Sequence, residues 1–141
     1  MPSLQEGPED RTYVAKLWGL EEWLVNNDQY CAKFLWLTPG FQCSLHYHPK
    51  KRETFIALDG LIHVEYHIDN KKYETLLVGR NRDTLTIPPM TPHRFYSMGG
   101  EGGLLLEVST PHDDTDVVRI EPSKEMANHP YLLGTQSHDE M

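Results

Sequence analysis

His46 and His48 stand one residue apart in CSLHYH, and Glu53 follows five residues after the second histidine. A third histidine, His93, comes after the rigid segment IPPMTP. In an extended strand, residues two apart point to the same side, about 6.5–7 Å from one another along the chain. Ser44, His46 and His48 therefore share one face, and two imidazoles can reach one ion. Glu53 opens the next strand after the loop PKKR, and His93 opens another after the proline turn, so both can approach from neighbouring strands. Three neutral imidazoles and one carboxylate form a mixed nitrogen and oxygen shell. Such a shell suits one divalent transition metal (Zn, Mn, Fe, Ni or Co) and is poor for Mg or Ca. Four protein ligands leave positions open on a five- or six-coordinate ion, which makes catalysis possible there. A bare His-x-His pair more often marks a solvated face. His63 and His67 illustrate it, since Glu65 and Asp69 fall on the same strand face, and His129 and His138 read as tail surface.

The elements that must position these residues are short strands. The chain has 141 residues, a length for one domain with one core, and 10 Gly and 10 Pro imply many turns. Residues 1–12 read as a flexible N-terminal arm, 13–121 as the folded domain and 122–141 as an irregular tail. Tyr13 to Asn27 is aromatic and amphipathic and ends in the turn signal Asn26-Asn27-Asp28. YCAKFLWLTPG, CSLHYH, ETFIALDG, LIHVEYHID, KKYETLLV, DTLTI, HRFYSM and LLLEVSTP read as strands, and DVVRIEP as a short edge strand. Asp59-Gly60 and GGEGG read as hairpin tips, and Asp69-Asn70 as the turn between paired strands. Seven to nine short strands predict an all-β sandwich or barrel.

Charge and composition exclude some partners. The net charge is −8 and no Lys/Arg block stands out, which argues against a nucleic-acid backbone as ligand. No apolar run approaches the roughly 20 residues of a membrane span, and MPSLQEGPEDRTY lacks the basic start and apolar centre of a secretion signal, so a cytoplasmic protein without a membrane partner is expected. Cys31 and Cys43 are no disulfide framework, and two free thiols are expected.

The spacing Gly40-x5-His46-x-His48-x4-Glu53-x6-Gly60 resembles the first motif of the cupin family, with each Gly, His and Glu in place. The second cupin motif runs Gly-x5-Pro-x-Gly-x2-His-x3-Asn, and here it reads Arg82-x5-Pro88-x-Met90-x2-His93-x3-Ser97. The proline and the histidine match, while Arg82, Met90 and Ser97 depart at turn and packing positions. The resemblance implies a single-domain cupin jelly-roll β-barrel with the metal inside its mouth, held by His46, His48, Glu53 and His93. It also makes a homodimer, through exchanged or paired edge strands, the default assembly.

The flanks KLWGLEEW, IPPMTPHRF and LEVSTPHDDTDVVRIE, in that order, are similar to the type II phosphomannose isomerase domain from about Lys16 to Glu121. The similarity implies aldose–ketose isomerisation of a mannose-type sugar or sugar phosphate through a metal-stabilised enediolate. A carboxylate near the metal can then move the proton. Glu53 is one such group, since a carboxylate can both ligate and act as base. Glu107 is the other, since it interrupts the apolar run LLLEVS, though it could also point outward or pair structurally. By resemblance Lys33 in CAKFLWL lines the barrel as a catalytic and substrate-holding cation and Arg119 contacts a sugar hydroxyl or phosphate, while Trp18, like Trp23, is an aromatic that could stack on a sugar face. The alternatives are a solvated edge lysine, a surface salt bridge of Arg119 and a core Trp18. Lys50 to Arg52, on the loop between His48 and Glu53 near the site mouth, could attract an anionic substrate but reads first as a solvated turn, and Arg94 reads as pointing outward. Cupins also include Fe(II) dioxygenases and non-catalytic sugar binders, so both remain open beside the isomerase.

Overall fold

The computed structural model of the chain describes residues 11–126. The strands are β1 (Thr12–Lys16), β2 (Gly19–Asn26), β3 (Cys31–Leu37), β4 (Phe41–Gln42), β5 (Leu45–Tyr47), β6 (Glu53–Asp59), β7 (Leu61–Ile68), β8 (Lys71–Val78), β9 (Thr84–Ile87), β10 (His93–Ser97), β11 (Gly103–Ser109), β12 (Val118–Glu121) and β13 (Lys124–Glu125). A single 3-10 turn, Gly79–Asn81, is the one helical element among the described residues, and none of their helices is long and apolar enough to cross a membrane. Alternation drives the strands. In CAKFLWL and ETFIALD every second residue is buried, so each strand turns one face to the interior and one outward.

Six strands in the order β1-β2-β3-β11-β6-β9 form one antiparallel sheet. The other is built around β10, which pairs with β4 and β5 on one side and with β7 on the other; β8 extends β7, while β12 and β13 pair with β5 and β4. From β3 onward seven of the ten connections cross between the sheets. This is the jelly roll expected from the motifs. The two sheets share no ladder among the described residues, so they face one another as a sandwich and do not close into a barrel.

Two turn readings change for that reason. Asp59-Gly60 and Gly99–Gly102 are corners between the sheets and not hairpin tips, because β6 and β7, like β10 and β11, lie in different sheets. Gly60 has φ +80°, and a Cβ there would collide with the Gly102 carbonyl of the other corner. Asp69 and Asn70, both left-handed, do close the β7–β8 hairpin. The short strand β13 lies inside the segment read as irregular tail. His129 and His138 lie outside the described residues.

The interior is divided. Leu35, Leu37, Phe55, Ala57, Ile62, Val64, Leu77, Ile87, Phe95 and Leu105 form an apolar cluster, and Trp18 joins it edge-on against Phe95 with ring centroids 5.0 Å apart. Both cysteines are buried and free. His63, Glu65, His67 and Arg94 face away from this core in a polar network: His67 lies 2.8 Å from Glu65, and the Arg94 Nε–H donates to Glu65 at 3.2 Å.

The two positions where the second cupin motif has glycine keep a glycine-like backbone. Arg82 has φ 55° and Met90 has φ 67°. A side chain in this region costs about 1–2 kcal/mol. At Met90 the turn is still made, and its N–H donates to the His48 carbonyl at 2.8 Å, tying the proline turn before His93 to the His-x-His strand. Met90→Gly relieves the strain at an exposed side chain. After the extra unfolded-state freedom of glycine is subtracted, it raises stability by about 0.5–1 kcal/mol, read as a higher melting temperature with unchanged metal content.

Candidate metal centre and active site

Register brings the site residues into two inward-facing rows. In the six-stranded sheet Trp23, Lys33, Glu107 and Phe55 stand opposite one another across β2, β3, β11 and β6. In the other sheet Arg119, His46 and His93 do so across β12, β5 and β10. Between the sheets lies a cavity of about 480 Å³ lined by Trp18, Trp23, Lys33, His46, His48, Lys51, Glu53, Glu107, His112 and Arg119, among others.

Each histidine is aimed by a backbone carbonyl. The Nδ1–H of His46 donates to Ser44 O at 2.8 Å, that of His48 to Asp116 O at 2.7 Å and that of His93 to Thr91 O at 2.9 Å. A carbonyl only accepts, so every ring carries its proton on Nδ1 and presents the Nε2 lone pair inward. The three rings form a group whose ligand atoms all lie within 4.8 Å of one another. Glu53 Oε2 lies 3.4 Å from His48 Nε2 and 3.1 Å from His93 Nε2. Donor atoms around an ion at about 2.1 Å are separated by about 3.0–3.4 Å, so these spacings fit a metal shell. Glu53 Oε2 and His93 Nε2 are buried with no hydrogen-bond partner. At 3.1 Å they need a positive charge between them, which a proton on Nε2 or a metal ion supplies. The donor set is that of a divalent transition-metal site.

The electrostatics differ between the rings. Burial, and then the neighbouring His93, push His46 down to about 3, and burial lowers His48 as well, so both are ready as neutral ligands at pH 7. Burial alone would lower His93, but the Glu53 carboxylate beside it outweighs burial and raises it.

Glu107 points inward and is 5% exposed. Its partner is a lysine, Lys51, at 2.9 Å. Burial would raise the Glu107 carboxyl, but the Lys51 and Lys33 ammoniums outweigh it and hold Glu107 below the usual carboxylate range. Burial would likewise lower Lys51, and Glu107 raises it instead. Lys51 is only 4% exposed, which corrects the reading of Lys50 to Arg52 as a solvated turn. The signal was present: Lys51 lies two residues before the inward Glu53 in an extended segment and so shares its side.

Lys33 is 2% exposed, lies 3.8 Å from Glu21, and holds its ammonium 4.0 Å above the Trp23 ring, so it is no solvated edge lysine. Arg119 lines the cavity mouth, exposed and without an ion pair among the described residues. Trp18 serves both readings, buried in the core and lining the cavity. His112 and Asp116 were not singled out from the sequence, because both lie in the irregular loop between β11 and β12, where no period shows which side a residue faces. Asp116 aims His48 through its carbonyl, and its carboxylate accepts the Lys50 N–H at 2.8 Å, joining that loop to the one that carries Lys51.

No protein-family model matches the chain. It is 31% identical over 120 residues, 70% of its length, to a protein of Thermofilum sp. named D-lyxose ketol-isomerase, and 30% identical over 121 residues, again 70%, to one of Thermosediminibacter oceani named D-lyxose/D-mannose isomerase. The chain spans 66% and 65% of the length of these two relatives, slightly under two thirds. Among solved structures, the capsular polysaccharide assembling protein CapF of Staphylococcus aureus superposes with a TM-score of 0.72 at 17% identity, over 79% of this chain and 32% of CapF. The fold is the cupin jelly roll, and the chain resembles cupin sugar isomerases.

Proposed function

We propose that this cupin is a metal-dependent sugar isomerase interconverting a mannose- or lyxose-type aldose and its ketose. The observation that carries the reading is the buried Lys51–Glu107 pair in the same cavity as the three-histidine and Glu53 donor set. A divalent ion held by His46, His48, Glu53 and His93 would supply Lewis-acid stabilisation of negative charge on the sugar's carbonyl and hydroxyl oxygens. Glu53 sits between two of the histidines and is committed to ligation. Glu107, kept ionised by Lys51, is the base that moves a proton between C2 and C1. Lys33 holds a sugar oxygen, Arg119 closes the mouth over the far end of the chain, and Trp18 offers an apolar wall.

The charge pattern supports an unphosphorylated sugar. Deep in the cavity Lys51 is paired with Glu107 and Lys33 lies 3.8 Å from Glu21, which Lys16 shares at 3.9 Å, so the charge left over sits toward the mouth with half-exposed Lys16 and Arg119. A cytoplasmic setting goes with this reading. The deciding experiment incubates the metal-loaded protein with lyxose, mannose, mannose 6-phosphate and fructose 6-phosphate and measures ketose or aldose formed. Turnover of the free aldoses is expected. Substrate-dependent oxygen uptake by an iron form, without ketose, overturns the isomerase.

We propose further that the working unit is a homodimer that meets through a sheet face and not through edge strands, a reading the outward side chains support. Outward-facing Phe34, Trp36, Ile56, Leu104, Leu106 and Val108 stand side by side on β3, β6 and β11, although the outer face of a sandwich sheet is ordinarily polar. Its buried carboxylate, Glu22, is already bonded to Arg11 at 2.8 Å and to the Trp36 indole N–H at 3.1 Å. Three strands at about 4.8 Å spacing and about 20 Å length present about 300 Å², and the flanking strands of the same sheet extend the face toward the roughly 800 Å² per partner of a stable interface. Trp36→Glu should convert a dimer to a monomer in sedimentation while metal content is kept; a wild-type protein that sediments as a monomer at every concentration removes the proposal.

A further inference from the structure

His112 lies in the loop between β11 and β12, and the Asn26 amide clamps its backbone: the His112 N–H donates to Asn26 Oδ1 at 3.0 Å, and the Asn26 Nδ2–H donates to His112 O at 3.4 Å. The ring meets Trp23 edge-on with centroids 4.7 Å apart. Its Nδ1 is 3.1 Å from Lys33 Nζ and 3.5 Å from Lys51 Nζ, and its Nε2 is 2.7 Å from Asp114 Oδ1. An ammonium can only donate and a carboxylate can only accept. Both ends of the ring therefore demand one tautomer, with the lone pair on Nδ1 and the proton on Nε2. Among the described residues His112 is the one group within hydrogen-bond distance of Lys33 Nζ, since Glu21 is 3.8 Å away and Trp23 offers only its ring face. An ammonium has three N–H bonds. His112 takes one, which sets the direction of the other two in the cavity that Lys33 lines.

We propose that Asp114 and His112 form a positioning pair for Lys33: the carboxylate fixes the ring's tautomer, and the ring aims the ammonium at a substrate oxygen. The substrate half of this rests on the isomerase reading; the resting arrangement rests on geometry alone. The test uses the full-length metal-loaded protein. Nitrogen NMR of the His112 ring should show a bare Nδ1 and a protonated Nε2, and the ordered Lys33 ammonium signal should disappear in His112→Leu. In sugar turnover His112→Leu should raise KM about 10–50-fold with kcat changed less than about threefold, because an interaction equal in ground and transition states is lost. Asp114 is 93% exposed, so Asp114→Ala keeps the fold. It should raise KM about 3–10-fold, and Asp114→Asn, whose amide oxygen still accepts the Nε2–H, should recover most of that. A proton on Nδ1, or a Lys33 signal unchanged in His112→Leu, overturns the proposal, as does an unchanged KM in Asp114→Ala. Should the wild type convert no sugar, the isomerase reading falls, and the ring and ammonium spectra alone decide the positioning.

Discussion

Glu107→Gln should remove sugar turnover by at least about 10²–10³-fold in kcat while the protein keeps its metal, because a positioned acid or base contributes roughly that factor. The substitution changes no ligand: Glu107 lies on β11, and the metal donors lie on or beside β5, β6 and β10. It does leave the buried Lys51 ammonium facing an amide. An uncompensated buried charge costs about 3–5 kcal/mol, of which the glutamine oxygen recovers part by accepting the Lys51 N–H. Lower activity alone could thus reflect a weakened fold. Lys51→Met in the same chain separates the two effects. The double variant no longer buries a lone cation and should regain stability, read in the denaturation midpoint, while remaining inactive. A double variant that recovers both stability and turnover would show that the pair is structural and would move the base to another group.

Chelation should inactivate the protein, and a divalent transition metal should restore both activity and stability. A ligand that binds only the folded state stabilises it by about 2.7 kcal/mol at a hundred times its dissociation constant. For a chain of this size that is roughly a 5–15 °C rise in melting temperature. Mg and Ca should give almost none of it, because imidazole is a poor ligand for hard cations. His93→Ala, at a ring buried against Glu53, should abolish the metal-induced rise. A melting temperature that ignores transition metals in the wild type would rule out the three-histidine centre.

The metal site was largely legible in the sequence, because a strand's period of two is geometry that needs no tertiary context. His46 and His48 had to share a side, and the flanking glycines and the Pro88–His93 spacing matched a known pattern. The inward direction of Glu107 was half legible: a carboxylate in an apolar strand announces burial or a pair, and only the fold decided which. Two turns were misread. The sequence suggested hairpins at Asp59-Gly60 and Gly99–Gly102, but a Gly-containing turn constrains local φ and says nothing about whether the next strand joins the same sheet. Arg82 and Met90 show the converse, since the surrounding ladder holds a left-handed backbone at both without the residue that prefers it.

The sequence by itself determined an all-β chain, its strand faces and the shared side of His46 and His48, since each follows from alternation or from short-range spacing. The tertiary structure alone decided that Lys51 neutralises Glu107, that His112 stands over Lys33, and that the outer face of the six-stranded sheet is apolar across several strands. Each of these joins residues from different strands or from an irregular loop. Their proximity depends on strand order and on the loop's path, and neither is written in any local period.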